Sequence, residues 1–143
     1  MLVKEIMTED VKTIEPGETV QEAAGKMVDE NVKFLIVIED KKLVGILTEW
    51  DFVKKIAAEE EFKEKAKVKT IMTSEVIVIG PETEIGEAAS IMAKHNIKKL
   101  PIVTENVLIG VVTAMDILAA EPKLMEKISE LILMTKKSKP VAG

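Results

Sequence analysis

The sequence predicts an α+β fold: two copies of a strand-helix-strand-strand-helix unit packed about a pseudo-twofold axis, followed by an amphipathic helix. Three observations predict it: a gapless internal repeat, a change of hydrophobic period inside each copy, and an apolar stripe beyond the second copy. Shifting the chain by 65 positions aligns Val3–Val53 with Val68–Leu118, and 19 of the 51 aligned positions are identical. Average composition would give roughly three. Eight further pairs exchange one aliphatic side chain for another, Val20/Ile85 and Val37/Ile102 among them. The expected boundaries are 1–57 for repeat one, 58–67 for a charged connector, 68–120 for repeat two, 121–135 for the C-terminal helix and 136–143 for a mobile tail, with both repeats forming one globular module.

In each copy a short extended piece, Val11–Ile14 or Val76–Ile79, runs to Pro16 or Pro81, which disfavours helix at the residue before it. The helix that follows carries its apolar stripe on Val20, Ala23, Ala24, Met27 and Val28, and on Ile85, Ala88, Ala89, Met92 and Ala93, the spacing of one helix face. Thr19 and Glu22 form a capping box at the start of the first of these helices. Asn31 and Asn96 are placed to end the two in the left-handed conformation.

Two nearly continuous apolar runs, Phe34–Ile38 and Leu43–Leu47, flank the charged turn Glu39–Lys42 and read as a buried hairpin. In copy two Pro101 removes a ladder donor, which predicts a strand start or an edge. Thr48 then opens a second helix with Val53, Ile56 and Ala57 expected on its inner face. After the repeat, Leu124, Ile128, Leu131 and Ile132 share one face of a helix expected to dock on the module or on a second subunit.

Composition narrows the chemistry. The 143 residues include no cysteine, one histidine, and 25 acidic against 20 basic side chains, all of the latter Lys. Thiolate nucleophiles, redox pairs and the common zinc sites are excluded, and no metal site is expected. Without Arg, any phosphate site must use Lys point charges or backbone N–H groups. No apolar run approaches the ~20 residues that span a bilayer, and the N-terminus has no signal-peptide pattern, so a soluble cytoplasmic protein is expected, with no membrane partner. The acidic balance argues against nucleic acid. Walker, dinucleotide-fingerprint, nucleophile-elbow and zincin motifs are absent, so no enzymatic activity and no catalytic residue are expected. His95, in the last turn of its helix, reads as a surface residue.

The doubled pattern resembles a tandem pair of CBS domains, the cystathionine-beta-synthase type of regulatory module. The resemblance rests on Val3-Lys4-Glu5-Ile6-Met7-Thr8, on Leu43-Val44-Gly45-Ile46-Leu47-Thr48-x-x-Asp51, and on their counterparts Val68–Thr73 and Leu108-Ile109-Gly110-Val111-Val112-Thr113-x-x-Asp116, and it covers roughly residues 1–120. It implies a module that dimerises into a flat disk and binds AMP, ADP, ATP or S-adenosylmethionine between the repeats, as a regulatory ligand rather than a catalytic cofactor. Acting on an unidentified protein in trans is then the expected role. The alternative is a ligand-free dimerisation and protein-interaction module.

Carried onto this chain, the resemblance implies that Asp51 and Asp116 accept hydrogen bonds from ribose hydroxyls, with Thr48 and Thr113 beside them. A carboxylate suits a cis-diol because it only accepts and has room for both O–H groups. The same Thr-x-x-Asp spacing is also a helix capping box, and the two roles can coexist. Lys33, Lys98 and Lys99 precede the inner strand, where the resemblance implies phosphate, and Ile14 and Ile79 fall in the segment whose backbone meets the adenine edge. Many relatives carry Arg immediately before the helix Asp, whereas Trp50 and Met115 stand here. That departure weakens the case for polyphosphate, and Trp50 is placed to cover an adenine or methylthio group, or simply to pack.

Overall fold

The structure, a computed structural model, describes residues 1–59, 65–122 and 125–138, with side chains as far as residue 134. Its elements are β1 (Thr13–Ile14), α1 (Val20–Glu30), β2 (Phe34–Glu39), β3 (Lys42–Thr48), α2 (Glu49–Phe52) continued by a π-helical turn over Val53–Ala57, α3 (Val68–Ile71), α4 (Ile85–His95), β4 (Lys99–Thr104), β5 (Val107–Thr113), α5 (Ala114–Ala120) and α6 (Met125–Ser138). A 3-10 turn covers Val3–Glu5. This is the α+β order that the repeat predicts.

The compact units are not the repeats. The first unit comprises residues 10–76 with 106–108, and the second comprises 1–9, 77–105 and 109–143. Each unit therefore contains the leading arm of the other repeat. In the first unit, Val68 N donates to Glu18 O at 2.8 Å, and Ile46 and Thr73 exchange backbone hydrogen bonds at 2.9 Å in both directions. In the second, Val3 N donates to Thr83 O at 2.8 Å, and Thr8 and Val111 exchange bonds of 2.9 and 3.0 Å. The arms explain two repeated glycines. A Cβ on Gly45 would stand 2.7 Å from Met72 Sδ, and one on Gly110 would stand 2.6 Å from Met7 Sδ, closer than real side chains approach.

In the first unit β1 pairs with β2 in parallel and β2 with β3 in antiparallel. Ile14, Val20, Ala23, Met27, Leu35, Val37 and Leu47 form its core with Val68 and Ile71 of the arm. The hairpin turns through Asp40 and Lys41 at φ 51° and 68°, the mirror-image turn whose twist suits a two-residue connection. Thr19 Oγ1 accepts from Glu22 N at 3.1 Å and Glu22 Oε1 accepts from Thr19 N at 3.2 Å, while Asn31 ends α1 at φ 53°. Both predicted caps are present.

In the second unit Ile85, Ala88, Ala89 and Met92 of α4 pack with Leu100, Ile102, Val112 and Ile117, and with Ile128 and Leu131 of α6. Lys127 Nζ adds a 2.6 Å bond to Ser90 Oγ of α4. The extended piece before α4 pairs only through one bridge, Ile79 to Ile102. Pro101 is the reason: its counterpart Ile36 donates to Lys12 O at 3.1 Å, a bond that proline has no N–H to make. Pro101 lies inside β4 rather than at its start, and β4 is an edge strand.

Some expectations are corrected. Val28, on the outer side of α1, is 79% exposed. Val53 is 48% exposed and Ala57 is also exposed, where α2 gives way after one turn to a π turn that shifts the helical phase. Of the expected stripe Ile128 and Leu131 enter the core, Ile132 is 46% exposed, and Leu124 lies outside the described residues. Helix α6 continues to Ser138, past the expected end at 135, and the remainder of the expected tail is outside the described residues. His95 is exposed. Among the described residues no helix is long and apolar enough to cross a membrane, and no group of three His, Cys, Asp or Glu could hold a metal ion.

Candidate functional site

Each unit presents one Thr-x-x-Asp element where the hairpin's second strand becomes a helix. In the first unit Thr48 leaves β3 in extended conformation and caps α2, its Oγ1 accepting from Asp51 N at 3.4 Å. Asp51 returns the interaction: its Oδ2 accepts from Thr48 N at 2.9 Å and from Thr48 Oγ1 at 3.2 Å. Its other oxygen, Oδ1, accepts from Thr73 Oγ1 at 3.2 Å and pairs with Lys55 Nζ at 3.3 Å. Thr73 is delivered by the arm through its backbone pairing with Ile46. Lys55 sits on the π turn, four residues after Asp51, and its ammonium also donates to Ile71 O at 2.8 Å. At 2% exposure Asp51 is the one buried charged side chain among the described residues, and its cost of burial is offset by this donor set.

In the second unit Thr113 caps α5 in the same way, accepting from Asp116 N at 3.1 Å, and Asp116 Oδ2 accepts from Thr113 N at 2.9 Å. There the likeness stops. Thr8, which stands where Thr73 stands in the first unit, makes its backbone bonds to Val111 but donates no side-chain bond to Asp116. Lys55 is replaced by Ala120. Among the described residues, Asp116 Oδ1 has no hydrogen-bond partner, and the side chain is only half-buried.

The remaining predicted site residues divide by unit. Ile14 and Ile79 are buried at 3% and 8% exposure, with their side chains in the two cores, so any ligand contact from them is backbone. Lys33 is exposed and lines a cleft of about 470 Å³ between α1 and α2, with Met27, Val28, Glu49 and Phe52. Thr48, Trp50 and Asp51 do not line that cleft. Lys98 is exposed and gives its carbonyl to Ala114 N at 2.8 Å, while Lys99 is half-buried in β4. Trp50 is 56% exposed and Met115 70%, so neither is a core residue.

Sequence reasoning missed Thr73 and Lys55. Signals for both were present: Thr73 repeats Thr8 in the Ile-Met-Thr arm, and Lys55 lies at the i,i+4 spacing from Asp51 that pairs opposite charges on a helix.

Comparison with known proteins agrees with this architecture. The CBS domain family model matches residues 3–58 and 68–123. A Methanopyrus kandleri protein is 36% identical over 130 residues, covering 90% of this chain and 66% of its own. The CBS domain-containing protein YhcV of Bacillus subtilis is 36% identical over 115 residues, 80% of this chain and 81% of that one. The chain spans only 24% of the length of a Methanococcus vannielii relative named homoserine O-acetyltransferase, so that likeness lies in a part of a longer protein. Among solved structures, the CBS domain pair of protein MJ0100 in complex with 5′-methylthioadenosine and S-adenosyl-L-methionine superposes with a TM-score of 0.75 at 30% identity, covering 86% of this chain and 97% of that one. Two family matches that together span most of the sequence, on a fold shared with a solved domain pair, establish that this chain belongs to the CBS domain family as a tandem pair.

Proposed function

We propose that this chain is a regulatory module that binds an adenosine-containing ligand, AMP, ADP, ATP or S-adenosylmethionine, and modulates a partner protein in trans as a cytoplasmic homodimer. The observation that carries the reading is Asp116: one carboxylate oxygen is fixed by the Thr113 N–H, and the other is uncommitted and half-exposed. A carboxylate held by one oxygen keeps its second for the hydroxyls of a ribose, and its orientation is prepaid by the cap. Lys98 and Lys99 belong to the same unit and supply the charge for a phosphate, with Ile79 in the segment toward the base and Met115 exposed beside Asp116. The two adenosine derivatives in the MJ0100 structure support the ligand class.

Regulation follows only if the ligand prefers one of two conformations, because equal affinity for both shifts nothing. Titration calorimetry with the four ligands tests the reading. Asp116→Ala is expected to weaken binding by about tenfold or more, the worth of a hydrogen bond to a charged group, with an unchanged circular dichroism spectrum. Unchanged affinity in that variant sinks the assignment.

A second reading, an interaction module without ligand, is favoured by α6, which exposes Met125, Ile132, Leu133 and Met134. On that reading Ile132→Glu with Leu133→Glu disrupts self-association in sedimentation, and added nucleotide has no effect.

A further inference from the structure

The two units repeat the same Thr-x-x-Asp element, yet only one of the carboxylates has acceptor capacity to spare. An ionised carboxylate offers about four lone-pair sites. Asp51 accepts three hydrogen bonds, two from Thr48 donors and one from Thr73 Oγ1, has the Lys55 ammonium 3.3 Å from the oxygen that Thr73 meets, and is 2% exposed. Asp116 has one side-chain acceptor bond and a free oxygen among the described residues. The difference traces to two features. Lys55 becomes Ala120 in the second unit, and the threonine of the arm turns its hydroxyl onto the carboxylate only in the first.

We infer that Lys55 is an internal cation that closes the first unit's carboxylate, so that diol recognition is confined to Asp116 and one chain takes one adenosine-containing ligand by this contact. The inference rests on the reading given under Proposed function and goes further by naming the silent site and the residue that silences it. A ribose has only hydroxyl donors to offer Asp51. To bind there it must displace an ammonium that is also tied to Ile71 O at 2.8 Å, exchanging a charge-assisted interaction for a neutral one. Trp50, exposed beside the closed carboxylate, then has no nucleoside to cover, and its departure from the Arg of many relatives costs no ligand contact.

The test has two arms. In the first, titration with AMP and with 5′-methylthioadenosine is expected to give one equivalent per wild-type chain. Asp116→Asn should lose about tenfold or more in affinity, and Asp51→Asn should stay within about twofold of wild type while melting at a lower temperature. Two equivalents in the wild type, or equal losses in the two variants while both remain folded, overturn the inference. The second arm needs no ligand: a thermal-melting double-mutant cycle of Asp51→Asn and Lys55→Met is expected to be non-additive. Additive shifts overturn the closure by Lys55. If neither probe binds while the cycle is non-additive, the functional reading fails and the confinement to Asp116 falls with it, but the Lys55 lock stands.

Discussion

Asp51 and Asp116 hold the same position in two repeats of one chain, each three residues after the threonine it caps, and the two have opposite surroundings. Asp51 is sealed by three hydrogen bonds and an ion pair; Asp116 keeps an oxygen open. The comparison teaches that a capping motif sets where a carboxylate points, while its availability is decided by residues one helical turn later and by an arm from elsewhere in the chain. A short motif repeated in sequence is therefore not the same site repeated in function.

The largest expected effect breaks the comparison at its buried end. Asp51→Ala removes the carboxylate that holds the Thr48 cap, the Thr73 hydroxyl and the ion pair with Lys55, leaving that ammonium only its carbonyl partner Ile71 O, and urea unfolding should show a loss of about 3 kcal/mol. Asp116→Ala loses only a cap bond, about 1 kcal/mol. Equal losses would mean that the two carboxylates are structurally equivalent. Next, Ala120→Lys transplants the lock into the second unit. It is expected to weaken AMP binding by about tenfold, roughly 1.4 kcal/mol, with little change in melting temperature. Smaller again, Thr73→Val should cost about 1 kcal/mol through a lost bond to a charged group, and Thr8→Val nothing measurable by the same unfolding assay.

The smallest effect concerns the helix starts. Hydrogen bonds from Thr19 hold the Glu22 carboxyl below the ordinary glutamate range. A depressed folded pKa adds stability above the unfolded value, and that contribution disappears as pH falls through the folded value. Glu22→Gln should therefore flatten the acid limb of the stability curve. In α4 the N-cap is Glu84, which makes no side-chain cap bond.

Much of this was legible in the sequence because it depends on local spacing. The apolar stripe from Val20 to Met27, the cap at Thr19 and the left-handed Asn31 and Asn96 are each decided within one turn of helix. The Thr48–Asp51 and Thr113–Asp116 pairs were legible for the same reason. What local spacing cannot carry is the state of the chain beyond it. Val28 and Val53 fit an inward stripe by periodicity but face solvent, and no pattern announces the π turn at Val53–Ala57. Thr73 reaches Asp51 across 22 positions of sequence, a distance over which only the fold decides the contact. The donor missing at Pro101 was legible, but not that its loss reduces the pairing of the preceding extended piece to one bridge.

The arms have a further consequence. A gene fragment encoding one repeat alone would make a hairpin and two helices with an unfilled slot over its glycine, Gly45 or Gly110, and an arm shaped for the other repeat's slot. Two such fragments can complete themselves only by trading arms between molecules, which is domain swapping and depends on concentration. Joining the repeats in tandem makes the trade intramolecular, at an effective concentration set by a short tether rather than by the cell. Duplication here does more than double a unit: it removes dilution as a route to unfolding.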